Sequence, residues 1–297
     1  QSYNSSPYFE ALDFGEVTGI TSLVCSSGYT LYGIRVAGKL LVDSNVTPPN
    51  TPKINSIVKA NPDAGFSIAT IQVSNGTSVD NGVFATGLNS PPDMVILKPM
   101  DETQGWTVYH KDIPDDLRSY LYLEATNAKV QPGVDTFKKT NQTFSCRGSR
   151  LVGGNNKLIS VLAWHSVPGF SEFGIYTGSG NGTPKPFVYC GFSPRWLIIK
   201  NIDNASNRNW VIIDTARSVI NQEDEEPVLF PNSQNLESIA NNAFGTFGSK
   251  DAVDFLSNGF VVQEADTNAV YTQINRPGDR HVFGAFAENP FKLSRGQ

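Results

Sequence analysis

Apolar and polar residues alternate with a period of two along much of this chain, and they do so twice in the same order. Phe66-Ser67-Ile68-Ala69-Thr70-Ile71-Gln72-Val73 alternates as a half-buried strand does, and Phe170-Ser171-Glu172-Phe173-Gly174-Ile175-Tyr176-Thr177 repeats the pattern behind a second Gly-Phe-Ser. Glycine-bearing turns follow, Asn75-Gly76 in one copy and Gly178-Ser179-Gly180-Asn181-Gly182 in the other. Next comes a near-continuous apolar run ending in lysine, Met94 to Lys98 and Trp196 to Lys200, the pattern of a strand covered on both faces. Pro91-Pro92 and Pro194 stand just upstream, where a strand can begin without donating to a ladder. Trp106-Thr107-Val108-Tyr109-His110 and Trp210-Val211-Ile212-Ile213-Asp214 complete the parallel, each reached through a long polar tip. Phe170, Gly191 and Trp210 follow Phe66, Gly87 and Trp106 by 104 residues, and Lys200 follows Lys98 by 102. So long a period describes two copies of a β module, not a solenoid.

The predicted fold class is therefore all-β: two tandem β-sandwich modules, jelly-roll or lectin-like, over 53–168 and 169–297, behind a short β segment. That segment, 1–52, holds Ile20 to Cys25 and a hairpin of Thr30 to Val36 with Lys39 to Asp43 across Ala37-Gly38. It ends in the proline-rich linker Val46 to Pro52 and reads as the end of a preceding domain or a small platform on the first repeat. Leu158 to Trp164 closes the first module and His281 to Ala287 the second, while Leu236 to Ala243 is the best short helix candidate.

Composition narrows the function classes. The 297 residues allow two domains with cores of their own, and 17% charged residues with 26 Gly and 18 Pro describe a compact, turn-rich β protein. A net charge of −5 lacks the basic footprint that nucleic acid or an anionic membrane demands, so neither is an expected partner. No apolar run is long enough to span a bilayer, and the opening at Gln1 reads as a processed or partial chain. Cys25, Cys146 and Cys190 have no C-x-x-C spacing and read as packing residues. Six Asn-x-Ser/Thr triplets, at Asn4, Asn45, Asn75, Asn141, Asn181 and Asn204, matter only in a eukaryotic secreted setting.

A catalytic set does not emerge from the residues. His110, His165 and His281 fall in three different strand segments without a partner at catalytic spacing, and His110 reads as a rim histidine on the face of Trp106. Glu223-Asp224-Glu225-Glu226 lacks the alternating spacing of a calcium loop and reads as a solvated tip. The Asp203 to Asn207 run reads as Asx-turn chemistry. No cofactor and no metal site is expected. Trp106, Trp164, Trp196 and Trp210 read as core, which leaves recognition to the polar loops Asp101 to Gly105, Gly178 to Thr183 and Asp203 to Arg208. The candidate binding residues are Asp101, Gln104, Asn181, Asp203, Asn204, Asn207 and Arg208.

Several strings together resemble a known family. Leu31 to Asp43, Ala60 to Ile68, Gly180-Asn181-Gly182, Phe187 to Phe192, Asp214-Thr215-Ala216-Arg217, Asp254 to Phe260 and Ala285 to Lys292 are similar to the duplicated β module toward the carboxyl end of large virion proteins of tailed bacteriophages, especially tail-fibre-like proteins of marine and cyanobacterial phages. The first module departs from the second, with Val73 to Asp80 and Val83 to Thr86 in place of the Gly-Asn-Gly turn and the Phe-Val-Tyr-Cys string. The resemblance implies a non-enzymatic structural protein of the tail-fibre or host-recognition apparatus, located in the virion. As partners it implies a homo-oligomer, a trimer as is usual of fibres, together with other tail proteins and host surface polysaccharide held by avidity. Two alternatives remain at this stage: a capsid decoration or purely structural component, and a polysaccharide depolymerase with two carboxylates within about 10 Å.

Overall fold

The computed structural model describes residues 35–36, 39–40, 54, 56–73, 82–147, 157–180, 182–205, 208–217, 221, 227–234, 237–239, 252–263 and 273–290. The chain divides into two compact units, Gln1–Ser44 and Asn45–Gln297. In the first, β1 (Arg35–Val36) and β2 (Lys39–Leu40) pair antiparallel, Arg35 opposite Leu40, as the hairpin pattern required. Cys25 and the linker Val46 to Pro52 lie outside the described residues.

The second unit begins with β3 (Ser56–Asn61), and the string Asn61-Pro62-Asp63-Ala64-Gly65 turns it straight back into β4 (Phe66–Val73). Asn61 caps this single 3-10 turn by accepting from the Ala64 N–H (3.2 Å), proline at the first position needs no donor, and Gly65 supplies the left-handed φ of 62° that closes it. There follow β5 (Val83–Ala85), β6 (Met94–Pro99), β7 (Thr107–His110), β8 (Leu121–Tyr122), β9 (Phe137–Lys139), β10 (Thr143–Cys146) and β11 (Lys157–Trp164). They form a six-stranded antiparallel sheet in the order β3-β4-β11-β6-β7-β8 and a three-stranded one in the order β5-β10-β9. Ile71, Val95, Leu97, Tyr109 and Val161 of the large sheet bury against Phe84, Phe137 and Phe144 of the small one, with free Cys146 among them as a small apolar filler.

The remaining strands are β12 (Ser171–Thr177), β13 (Phe187–Tyr189), β14 (Pro194–Asn201), β15 (Trp210–Asp214), β16 (Pro227–Leu229), β17 (Ser238–Ile239), β18 (Val253–Leu256), β19 (Gly259–Val262) and β20 (Arg280–Ala287). Their six-stranded sheet runs β12-β20-β14-β15-β16-β17 and their three-stranded sheet β13-β19-β18. Leu197, Ile199, Val211, Ile213 and Phe283 pack on Val188, Val253 and Phe260, with free Cys190 at the margin. Of the helix expected at Leu236 to Ala243, the described part includes β17, whose Ser238 and Ile239 pair with Val228 and Pro227, so sheet extension overrides a weak local propensity there, and the rest lies outside the described residues. All described regular structure is β apart from the 3-10 turn, and among the described residues no helix is long and apolar enough to cross a membrane.

The protein is thus all-β, and its two sandwiches share a third core. Met94, Ile96, Val108 and Leu121, on the outward face of the first large sheet, pack against Phe173, Ile198, Trp210 and Val282 on the outward face of the second. This accounts for the apolar runs before Lys98 and Lys200: β6 and β14 have a sandwich core beneath them and the other sandwich above.

Ladder registers fix which residues correspond. Met94 pairs with Trp164 and with His110, while Trp196 pairs with Phe286 and with Asp214, so Met94 corresponds to Trp196 and His110 to Asp214. Trp106, one residue beyond the Leu97–Thr107 pair, matches Trp210, which lies opposite Lys200. The first strand differs from expectation. Phe66 lies opposite Trp164, and it is Ser171 that lies opposite Phe286, so the counterpart of Phe66 is Ser171 and the Gly-Phe-Ser strings are one residue out of step. A one-residue slip reverses faces: Ala69 and Ile71 enter the first core, and Tyr176, not Phe173, enters the second. Phe173 is thereby delivered to the third core.

Candidate functional site

Of the seven candidate residues, Asp203 and Arg208 lie where the two sandwiches are held together. Asp203, in the connection from β14 to β15, accepts from Lys129 Nζ at 3.1 Å and takes a two-pronged pair from Arg280, Nη2 at 2.7 Å and Nε at 2.9 Å, plus the Arg280 backbone N–H at 2.9 Å. Hydrogen bonds from the Arg280 side chain, foremost, hold its carboxyl well below the usual carboxylate range. Lys129 comes from the first sandwich and Arg280 from the second, so the carboxylate is a clasp. Asn201 Oδ1 accepts from the backbone N–H groups of Asp203 and Asn204, both at 3.0 Å, an Asx turn whose side chain comes from Asn201, just before the Asp203 to Asn207 run that was expected to supply it.

Arg208 corrects the reading of this connection as an exposed loop: it is buried, and Ile202 O near the start of the connection accepts from the Lys129 N–H of the first sandwich at 3.0 Å. Its carbonyl accepts from Lys200 Nζ at 2.6 Å, and Thr126 O of the first sandwich accepts from the same amine nitrogen at 3.1 Å. Burial, and secondarily the Arg208 charge, pulls the Lys200 amine down to about 7. Beside it the Trp210 indole Nε1–H donates to Tyr122 O at 2.8 Å. The loop from Gly178 is likewise not exposed at its start: Gly178 and Gly180 are buried, and Asn275 Oδ1 accepts from the N–H groups of Ser179 (2.7 Å) and Gly180 (3.2 Å). Asn181, Asn207 and the acidic run Glu223 to Glu226 lie outside the described residues.

The equivalent connection in the first sandwich is open to solvent. Asp101 is exposed and accepts from the Leu158 N–H at 3.3 Å; Gln104 is exposed and its carbonyl accepts from Lys98 Nζ. Trp106 is 36% exposed, with the Lys98 ammonium 5.8 Å from its ring centroid, and so is not the core residue its repeat position implied. The two large sheets overlap off-centre, and only the Lys200–Trp210 end is covered. The same offset buries His110, read from sequence as a rim residue: its Nε2–H donates to Phe283 O of the second sandwich at 3.1 Å, Nδ1 accepts from the Asp112 N–H at 3.3 Å, and burial lowers its pKa to about 4. His281 is buried against Tyr176, rings 5.1 Å apart and stacked, with a pKa lowered by burial to about 3.

What the second sandwich does present to solvent was missed from sequence. Phe187 and Tyr189 are 50% and 66% exposed, because Val188 between them turns into the core and sends both neighbours outward. The outward aromatic-x-aromatic alternation was the signal available. Alongside them an open groove of about 260 Å³ separates β13 from β12, lined by Glu172, Gly174, Ile175 and Phe283 among others. Burial raises the Glu172 carboxyl above its ordinary value, and among the described residues it has neither a hydrogen bond nor an ion pair.

Fold and surface together define an all-β protein of two sandwiches fused back to back, with Asp203, Lys200 and His110 engaged in the fusion and the two most exposed aromatics among the described residues, Phe187 and Tyr189, on one small sheet. The chain belongs to the family described as "Domain of unknown function (DUF7483)", whose model matches residues 43–290 and so takes in both sandwiches as one unit. Neither a curated protein nor a solved structure matches it.

Proposed function

We propose that the protein is a non-enzymatic component of the tail-fibre or host-recognition apparatus of a tailed phage, a homo-oligomer that meets host surface glycans on the second sandwich. The observation that carries this reading is the outward pair Phe187 and Tyr189, two exposed aromatic residues on one strand face, spaced roughly 7 Å along the backbone of a sheet strand. Flat apolar rings beside polar groups suit the apolar face of a pyranose. The strings from Asp214 to Arg217 and from Asp254 to Phe260, similar to those of phage virion modules, support the setting. So does the use of Asp203, Lys200 and His110 as fasteners, which assigns three perturbed titratable groups to architecture.

The test is a glycan array probed with the full chain, followed by adsorption to the host cells on which hits occur. Tyr189→Ala is expected to weaken array binding by up to about tenfold while leaving the circular dichroism spectrum unchanged. An array without hits for the native oligomer, or hits indifferent to Tyr189→Ala, contradicts the proposal.

A further inference from the structure

Among the described residues, the same side of the two sandwiches is closed in one and open in the other. In the first, β3 lies along the outer edge of β4, Val58 opposite Ala69 and Ile57 opposite Thr70, and the Ile54 N–H just before it donates to Val83 O of β5 at 3.2 Å. One extended segment thus covers both edge strands. In the second sandwich no such segment precedes β12, since only residues 165–170 separate it from β11, which is itself a central strand. Those residues satisfy only the start of the edge: Val167 exchanges both backbone hydrogen bonds with Ser171, and the Phe173 N–H donates to Ser166 Oγ at 3.1 Å. Bonds from Ala287 N to Phe170 O and from Gly178 N to Asp279 O set the parity of the ladder, so Phe173, Ile175 and Thr177 aim their backbone groups away from β20. Ile175 is 36% exposed, and among the described residues its N–H and C=O have no partner. Unpaired groups of this kind are a template for one particular ligand, another extended backbone.

The groove beside this edge adds side-chain chemistry. Gly174 has no Cβ, and the Phe283 ring rises into that space, 2.7 Å from where a Cβ would sit, so the floor opposite Gly174 is aromatic. Glu172, the neighbouring residue on the same face, brings a carboxylate that no described residue pairs. A long cationic side chain satisfies both, its stem on Phe283 and its head at Glu172. We propose that Phe173–Thr177 is a docking edge for an extended strand of another polypeptide, entering antiparallel as β3 does on β4, with an arginine or lysine opposite Gly174. The groove beside this edge is bounded on its far side by Phe187 and Tyr189, so the edge adjoins the face proposed to meet glycans, and the backbone groups of Phe173–Thr177 distinguish the two.

The register of β3 names the probe: a labelled peptide of residues 53–59 carrying Val58→Arg, titrated against the full chain by fluorescence anisotropy. Saturable binding tighter than about 1 mM is expected. Methylating the peptide nitrogens of Ile57 and Lys59, which face the edge, is expected to weaken it at least tenfold without touching the protein. Glu172→Gln in the protein is expected to weaken the Val58→Arg peptide severalfold and to leave the unsubstituted peptide unchanged. No saturation at 1 mM, or equal binding by the methylated peptide, overturns the proposal. A wild-type chain that sediments as a dimer and is made monomeric by Ile175→Pro overturns it too, since a second copy then holds the edge.

Discussion

Lys200 shows how the molecule uses its perturbed groups. A neutral amine has two N–H donors, and Thr126 O and Arg208 O accept both, so the site favours the uncharged form that burial also favours. The sign of the pH effect follows. Below about pH 7 folded and unfolded chains both hold the proton, and folding carries the full cost of a buried charge. Between about 7 and the ordinary lysine value near 10.4 the unfolded chain keeps a proton the folded chain has released, so stability rises with pH by up to about 1.4 kcal/mol per unit. Urea unfolding at pH 7 and pH 9.5 is expected to show wild type gaining on Lys200→Met across that interval; a constant difference between the two proteins would mean that Lys200 does not titrate there. In sequence this lysine is indistinguishable from Lys98, its repeat partner, which lies half-buried with its ammonium beside Trp106. Which of the two is buried depends on the off-centre overlap of the sheets, and residue spacing carries no record of it.

At the scale of elements, the central strands were legible and the edges were not. Apolar runs before Lys98 and Lys200 announced strands covered on both faces, because a strand buried twice has no polar face to alternate. The Trp106 and Trp210 strands fell into register as their spacing implied. The Gly-Phe-Ser strings misled, since they sit in turns at the strand start and the ladder register is set one residue later by Phe66–Trp164 and Ser171–Phe286. That slip has a packing consequence. Phe173 fills the space over Gly284, where a Cβ would meet its ring at 2.9 Å, whereas the position of β11 corresponding to Gly284 is Leu162 and that of β4 corresponding to Phe173 is Ile68, exposed on the other sandwich. The second copy sets a large residue opposite a glycine where the first sets two mid-sized ones, Ile68 and Leu162, opposite each other. Gly284→Leu, which restores the residue of the other repeat, is therefore expected to destabilise by about 1–3 kcal/mol through overpacking, read as a lowered urea midpoint; a neutral outcome would show that Phe173 does not occupy that space.

At the scale of the whole molecule, two β modules seen in the sequence as successive beads are one body with three cores. The tandem reading missed the third core because an apolar outward face and an apolar inward face look alike in a strand buried on both sides. Asp203 between Lys129 and Arg280, Lys200 beneath Thr126, Trp210 on Tyr122 and His110 on Phe283 are the polar stitches of that core. A fusion of this kind leaves the outer small sheets and the strand edges as the surfaces free to recognise other molecules, and both functional proposals fall there. Hydrogen exchange read by mass spectrometry on the full chain tests the fusion most directly. Phe144→Ala, in the core of the first sandwich alone, removes about 3–5 kcal/mol. If the two sandwiches open as one unit, peptides covering β14 and β20 of the second must accelerate by the same factor as those covering β11 of the first. Acceleration confined to the first sandwich, with β14 and β20 exchanging as in the wild type, would contradict the account.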